Sequence, residues 1–104
     1  MELNLTKEVL IESGFKEHVY ESQDGKPLFY RKDFKMYGDS EFITHYLGDS
    51  WLEPDVCYNV VVEFPEDLSF VQFYIEESGD FEIFDVKQYP NDAHLLLGMV
   101  GVNV

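Results

Sequence analysis

The chain has 104 residues, 45% hydrophobic and 16% aromatic; this fits one packed domain over residues 1–104 and excludes a disordered, charge-dominated chain. Its 21 Asp and Glu against 7 Lys and Arg give a net charge of −14, which repels phosphates and excludes direct nucleic-acid binding as an expectation. The single Cys57 admits no internal disulfide, and the start Met1-Glu2-Leu3-Asn4-Leu5 has neither the basic start nor the apolar run of a signal peptide, so a cytoplasmic protein with no membrane contact is expected.

In chain order, Thr6 to Ser13 reads as a short helix, with Thr6 as N-cap and Glu8 in the first turn. Gly14 suits the left-handed position after it, and Phe15 can fold back onto Val9 or Leu10. Strands are expected over Phe15–Glu21 and Leu28–Lys35, joined through the turn dipeptide Asp24-Gly25. The second alternates Leu28, Tyr30 and Phe34 with Arg31, Asp33 and Lys35, leaving Phe29 as the exception.

The β-branched and aromatic run Phe42–Leu47 predicts a third strand. Trp51 to Asp55 is a connection, after which Val56, Tyr58, Val60, Val62 and Phe64 alternate up to Pro65 and define the central strand. The last hairpin turns at Glu77-Ser78-Gly79-Asp80, with Glu77 opposite Asp80 and positions paired outward from there. One face then collects Val71, Phe73, Ile75, Phe84 and Val86. The other collects Phe70, Gln72, Tyr74, Glu76, Phe81, Ile83 and Asp85, more apolar than a solvated face requires. Pro90-Asn91-Asp92 precedes a short helix over Ala93–Val100, with an Asn or Asp cap and Gly101 at its exit. The expected fold class is α+β: a two-layer domain, mainly an antiparallel sheet of about five strands, flanked by a short N-terminal and a short C-terminal helix.

The residues name no reaction. Adjacent carboxylates such as Glu66 with Asp67, or Glu76 with Glu77, point to opposite faces when extended and make poor catalytic dyads. His18, His45 and His94 lie in different elements with no metal-ligand spacing. Cys57 has no local cation to lower its pKa, so a buried or inert thiol is expected. No nucleophile elbow, phosphate-binding glycine loop or calcium loop is present. Neither a cofactor nor a metal is expected, and an enzyme is the less favoured reading.

The charge has a location. Residues 1–35 hold six cations and seven carboxylates, whereas residues 36–86 hold 13 carboxylates and no Lys or Arg. Such an excess keeps a small aromatic-rich domain soluble and monomeric. It also creates a field that steers a basic partner, as an immunity protein or a nucleic-acid-mimicking inhibitor does. The expected interaction residues are Tyr74, Glu76, Phe81, Ile83 and Asp85 on the last hairpin, with Glu53, Asp55, Glu66 and Asp67 contributing field. The alternative is self-association as a homodimer, through that face or an edge strand.

The opening Leu10-Ile11-Glu12-Ser13-Gly14-Phe15-Lys16 and the close Val86-Lys87-Gln88-Tyr89 with His94-Leu95-Leu96-Leu97-Gly98 resemble the ends of small uncharacterised proteins of Bacteroides-type bacteria, their phages and their mobile elements. The resemblance implies a short helix, a meander and a last helix in an accessory protein. It implies no activity and lends no site residues.

Overall fold

The computed structural model describes residues 4–22, 25–46, 52–76 and 81–102. The first element, α1 (Lys7–Glu12), starts where Thr6 Oγ1 accepts the Val9 N–H at 3.2 Å. It ends in a Schellman motif: the Gly14 N–H donates to Ile11 O, the Phe15 N–H donates to Leu10 O at 3.0 Å, and Gly14 has φ +97°. Leu10 and Phe15, joined by that turn, are both buried in the core.

Strand β1 (Lys16–Val19) is shorter than the sequence suggests and pairs with β2 (Leu28–Tyr37), which is longer. Asp24 of the expected turn lies outside the described residues; Ser22 and Gly25 form a bridge across it. Strands β3 (Cys57–Pro65), β4 (Phe70–Ile75) and β5 (Phe81–Asp85) complete an antiparallel meander in the order β1-β2-β3-β4-β5.

The expected strand over Phe42–Leu47 is instead a helix, α2 (Glu41–Tyr46), with Leu47 outside the described residues. Ser40 caps it: its Oγ accepts the Ile43 N–H at 3.3 Å and its carbonyl accepts the Thr44 N–H at 3.0 Å. Strand propensity loses here because consecutive residues Phe42 and Ile43 are both buried in the core. A strand would send them to opposite faces. The helix lets both reach the sheet, and the Phe42 ring sits 4.9 Å from that of Phe73.

The final helix, α3 (Pro90–Met99), begins three residues earlier than expected, with no side-chain cap. Pro90 at its first turn carries a preset helical φ and needs no amide partner. Its exit follows the same rule as α1: Gly101, at φ +84°, donates to Gly98 O, and Val102 N–H donates to Leu97 O at 2.8 Å. Gly38 is required by a close approach, since a Cβ there would lie 2.3 Å from the Glu53 carbonyl oxygen.

In the last hairpin Tyr74 pairs with Phe81 and Val71 with Phe84, two residues away from the register implied by setting Glu77 against Asp80. Those two turn residues lie outside the described set. A slip of two leaves every side chain on its expected face, so Val71, Phe73 and Ile75 are buried as anticipated. The core joins these to Tyr30, Val60, Val62 and Phe64 of β2 and β3, and to Leu10, Phe42, Ile43, Leu96 and Leu97 of the three helices. All three helices therefore commit their apolar sides to one face of the sheet. Each fully buried aliphatic or aromatic side chain there contributes about 1.5–3 kcal/mol.

Candidate interaction surface

The face opposite the helices has no described helix against it, yet the central strand is buried on that side too. Asn59, Val61 and Glu63 point there and are 7%, 0% and 2% exposed. Their cover comes from neighbouring strands. Across the two ladders Glu63 faces Arg31 and Gln72, and Val61 faces Asp33 and Tyr74.

Polar atoms on this face are bonded to one another. The Glu63 carboxylate accepts from the Tyr20 hydroxyl at 2.5 Å and from Gln72 Nε2 at 2.7 Å. Asn59 Nδ2 donates to Asp33 Oδ2 and to Glu76 Oε2, and Arg31 Nε donates to Asp33 Oδ1 at 3.0 Å. Burial first, then donation to Glu63, raises the Tyr20 hydroxyl pKa well above its ordinary value. The Arg31 guanidinium, and next the Asn59 amide, hold the Asp33 carboxyl below its usual range against the opposing effect of burial. Among the described residues no buried side-chain nitrogen or oxygen lacks a partner. At one end the network gives way to an aromatic row: His18 to Tyr20 at 4.4 Å, Tyr20 to Phe29 at 5.4 Å and Phe29 to Phe70 at 6.5 Å between ring centroids. Phe29, the exception to its strand's alternation, belongs to this row.

The residues expected to contact a partner separate into groups. Tyr74 and Ile83 share the open face, Tyr74 half-buried and Ile83 50% exposed. Phe81 lies opposite Tyr74 in the ladder and is placed by its backbone. Glu76 is exposed but tied to Asn59. Asp85 accepts the Lys87 and Gln88 N–H groups at 2.9 and 2.8 Å and so builds the turn into α3. Asp67 does the same in the β3–β4 turn, accepting the Ser69 N–H at 3.0 Å; its bonds to Ser69 lower its pKa. Glu53 and Asp55 precede β3 whereas Glu66 and Asp67 follow it. The strand between them separates the two pairs by roughly 30 Å, so these four do not form one patch.

The meander converts charge order along the chain into charge order across the sheet. Lys32 and Glu82 pair with Val62 and Phe73 and so lie on the helix side. On the open face Lys16, Arg31 and Lys35 of β1 and β2, with Asp33 among them, stand apart from Glu63 of β3, Glu76 after β4 and Asp85 of β5. The open face therefore has a cationic half and an anionic half.

Other candidate chemistry stays dispersed. His18 lines a cleft of about 520 Å³ beside β1, and His94 lines another of about 300 Å³ on α3; His45 is on α2. Among the described residues no group of three His, Cys, Asp or Glu is placed to hold a metal ion. Cys57 is exposed at the head of β3, contrary to the buried half of the expectation of a buried or inert thiol, because it falls on the open side at the strand's first position. No described helix is long and apolar enough to cross a membrane. Sequence reasoning missed Tyr20, Asn59 and Glu63. The available signal was Val61: an apolar residue at an outward position of the central strand implies cover on both sides. Comparison with known proteins finds no matching family model, curated protein or solved structure.

Proposed function

We propose that this chain is a non-enzymatic protein-interaction domain that receives a basic protein partner on the β3–β5 half of its open sheet face, and that it works in the cytoplasm, where a single thiol stays reduced. The observation that carries this reading is the 50% exposed Ile83, paired with Gln72 and diagonal to Tyr74, with the exposed Glu76 further along the same face, against which no described helix packs. An apolar and aromatic centre with carboxylates around it suits a protein interface better than a closed small-molecule pocket. The carboxylates add long-range attraction for a basic surface and little short-range specificity.

The hydrogen-bonded network beneath supports the same reading. Glu63 and Asn59 already have their partners, so this part of the face offers a rigid platform rather than an unsatisfied reactive group. An accessory protein that blocks a basic toxin or enzyme is the role this chemistry fits.

The test is affinity capture from native host lysate at low and high salt, run in parallel with the wild type and Ile83→Lys. A basic protein retained at low salt, weakened at high salt and lost with the variant supports the proposal. Retention unaffected by Ile83→Lys places the contact elsewhere. Sedimentation of the purified chain covers the competing occupant: a salt-sensitive dimer would mean that the two oppositely charged halves pair with those of a second copy.

A further inference from the structure

Strand β2 runs from Leu28 to Tyr37, but β1 pairs only with Leu28–Arg31. The rest of β2 is an edge. The Tyr20 N–H donates to Pro27 O, which directs the backbone groups of residues 27, 29 and 31 toward β1; strict alternation then directs those of Asp33, Lys35 and Tyr37 to the same side, beyond the end of β1. On the other side, the Gly38 N–H donating to Val56 O fixes the complementary set toward β3. Ser40 N–H takes the Tyr37 carbonyl. Among the described residues no protein group pairs with the edge-facing N–H and C=O of Asp33 and Lys35, or with the Tyr37 N–H.

A second observation coincides with this edge. The cleft of about 520 Å³ opens where β1 stops, with Gly14, Lys16, Arg31, Lys32 and Asp33 among its lining residues. The chain leaves the sheet at Gly14 to enter α1, which vacates the space beside Asp33. Lys16 stands directly across from Arg31; Asp33 partners the guanidinium, while among the described residues no carboxylate is paired with the Lys16 ammonium, which sits opposite a like charge. Lys35 is exposed further along the same edge. The nearby carboxylates are engaged, Glu17 with Lys7 at 3.2 Å and Asp33 with Arg31 at 3.0 Å. A surplus of cations remains beside a row of unpaired backbone groups. At physiological salt the Debye length is about 8 Å, which screens the carboxylates of β5; Glu76 is nearer, but its carboxylate is taken by the Asn59 amide that also bonds Asp33.

We propose that an extended acidic peptide segment of a partner protein adds to the sheet along the open edge of β2 at Asp33–Tyr37. Its backbone pairs with residues 33, 35 and 37, and its carboxylates meet Lys16 and Lys35. Main-chain bonds supply affinity and the lysines select acidic sequences. The same lysines repel a like edge from another copy, which keeps the site open. This site is separate from the face assigned to a basic partner and does not depend on it.

The test is fluorescence anisotropy with a labelled peptide of about eight residues alternating Glu and Val, long enough to span the edge. Two controls accompany it: a Lys and Val peptide, and the acidic peptide N-methylated at alternate residues so that it cannot bond to the edge. The acidic peptide is expected to bind in a salt-sensitive way, and N-methylation to weaken it roughly tenfold through lost backbone bonds. Lys35→Pro removes one edge-facing donor without touching the β2–β3 ladder and is expected to weaken binding similarly. Lys35→Glu leaves the backbone intact and tests charge alone, so the electrostatic arm stands even where the proline variant disturbs the fold. Absence of binding, equal binding of the N-methylated or basic peptide, or unchanged binding by both variants overturns the proposal. Concentration-dependent self-association abolished by Lys35→Glu also overturns it, since the acidic β5 edge of a second copy would then be the occupant.

Discussion

Val62 and Phe73 face each other across the β3–β4 ladder, and one residue further along each strand Glu63 faces Gln72. The first pair is sealed by apolar side chains from α1, α2 and α3. The second is sealed by Tyr20 and by its own hydrogen bonds. Burial is nearly complete for Val62, Phe73 and Glu63, but its causes differ. A helix layer excludes water by packing and needs no polar partner. Long side chains from adjacent strands exclude it only over the central strand, so the flanking Lys35, Tyr37, Glu76 and Ile83 stay exposed. The open face is thus rigid at its middle and available at its sides.

This contrast predicts a graded response to substitution. The largest effect is expected for Phe73→Ala on the helix side, about 3–5 kcal/mol in denaturant unfolding. Glu63→Ala on the open side leaves the Tyr20 hydroxyl and the Gln72 amide without their acceptor and is expected to lose about 1–3 kcal/mol. Replacing Glu63 and Gln72 together by Leu should recover much of that loss, because no unpaired donor remains at position 72. Glu63→Ala as damaging as Phe73→Ala would erase the distinction between packed and bonded cover.

Thr6→Ala, which touches neither face, should cost about 1 kcal/mol through the lost N-cap of α1. Alkaline titration probes the bonded cover alone. The raised Tyr20 pKa favours the neutral hydroxyl in the folded state, so its contribution is complete below the unfolded value of about 10 and declines as pH rises above it. Tyr20→Phe should flatten that decline in Tm measured against pH. The smallest stability effect belongs to Ile83→Lys, within about 0.5 kcal/mol for an exposed position, although the same change is expected to abolish partner capture.

Much of this arrangement is legible in the sequence where local chemistry decides it. Thr6 and Gly14 bracket α1 because a cap and a left-handed exit need only nearby residues. The alternation from Tyr58 to Phe64 reports a strand for the same reason. The charge division across the sheet is also readable, because a meander keeps chain order as strand order. What escapes is set by distant neighbours. Phe42 and Ile43 have strand-forming side chains, but the requirement that both reach the Phe73 side imposes a helix. Glu63 and Asn59 resemble ordinary outward polar residues until strand pairing brings Tyr20, Asp33 and Glu76 to them. Asp67 and Asp85 count toward an acidic field in the sequence, and only the turn geometry shows that their oxygens hold backbone amides.

The central claim is that a basic partner docks on the β3–β5 half of the open face. Amide shift mapping of the isotope-labelled chain, titrated with the basic protein recovered by capture, tests it most directly. The account predicts perturbations concentrated at Tyr74, Glu76 and Ile83, diminishing as salt is raised. Perturbations confined to the exposed sides of α1 and α2, with β4 and β5 unchanged, would contradict it.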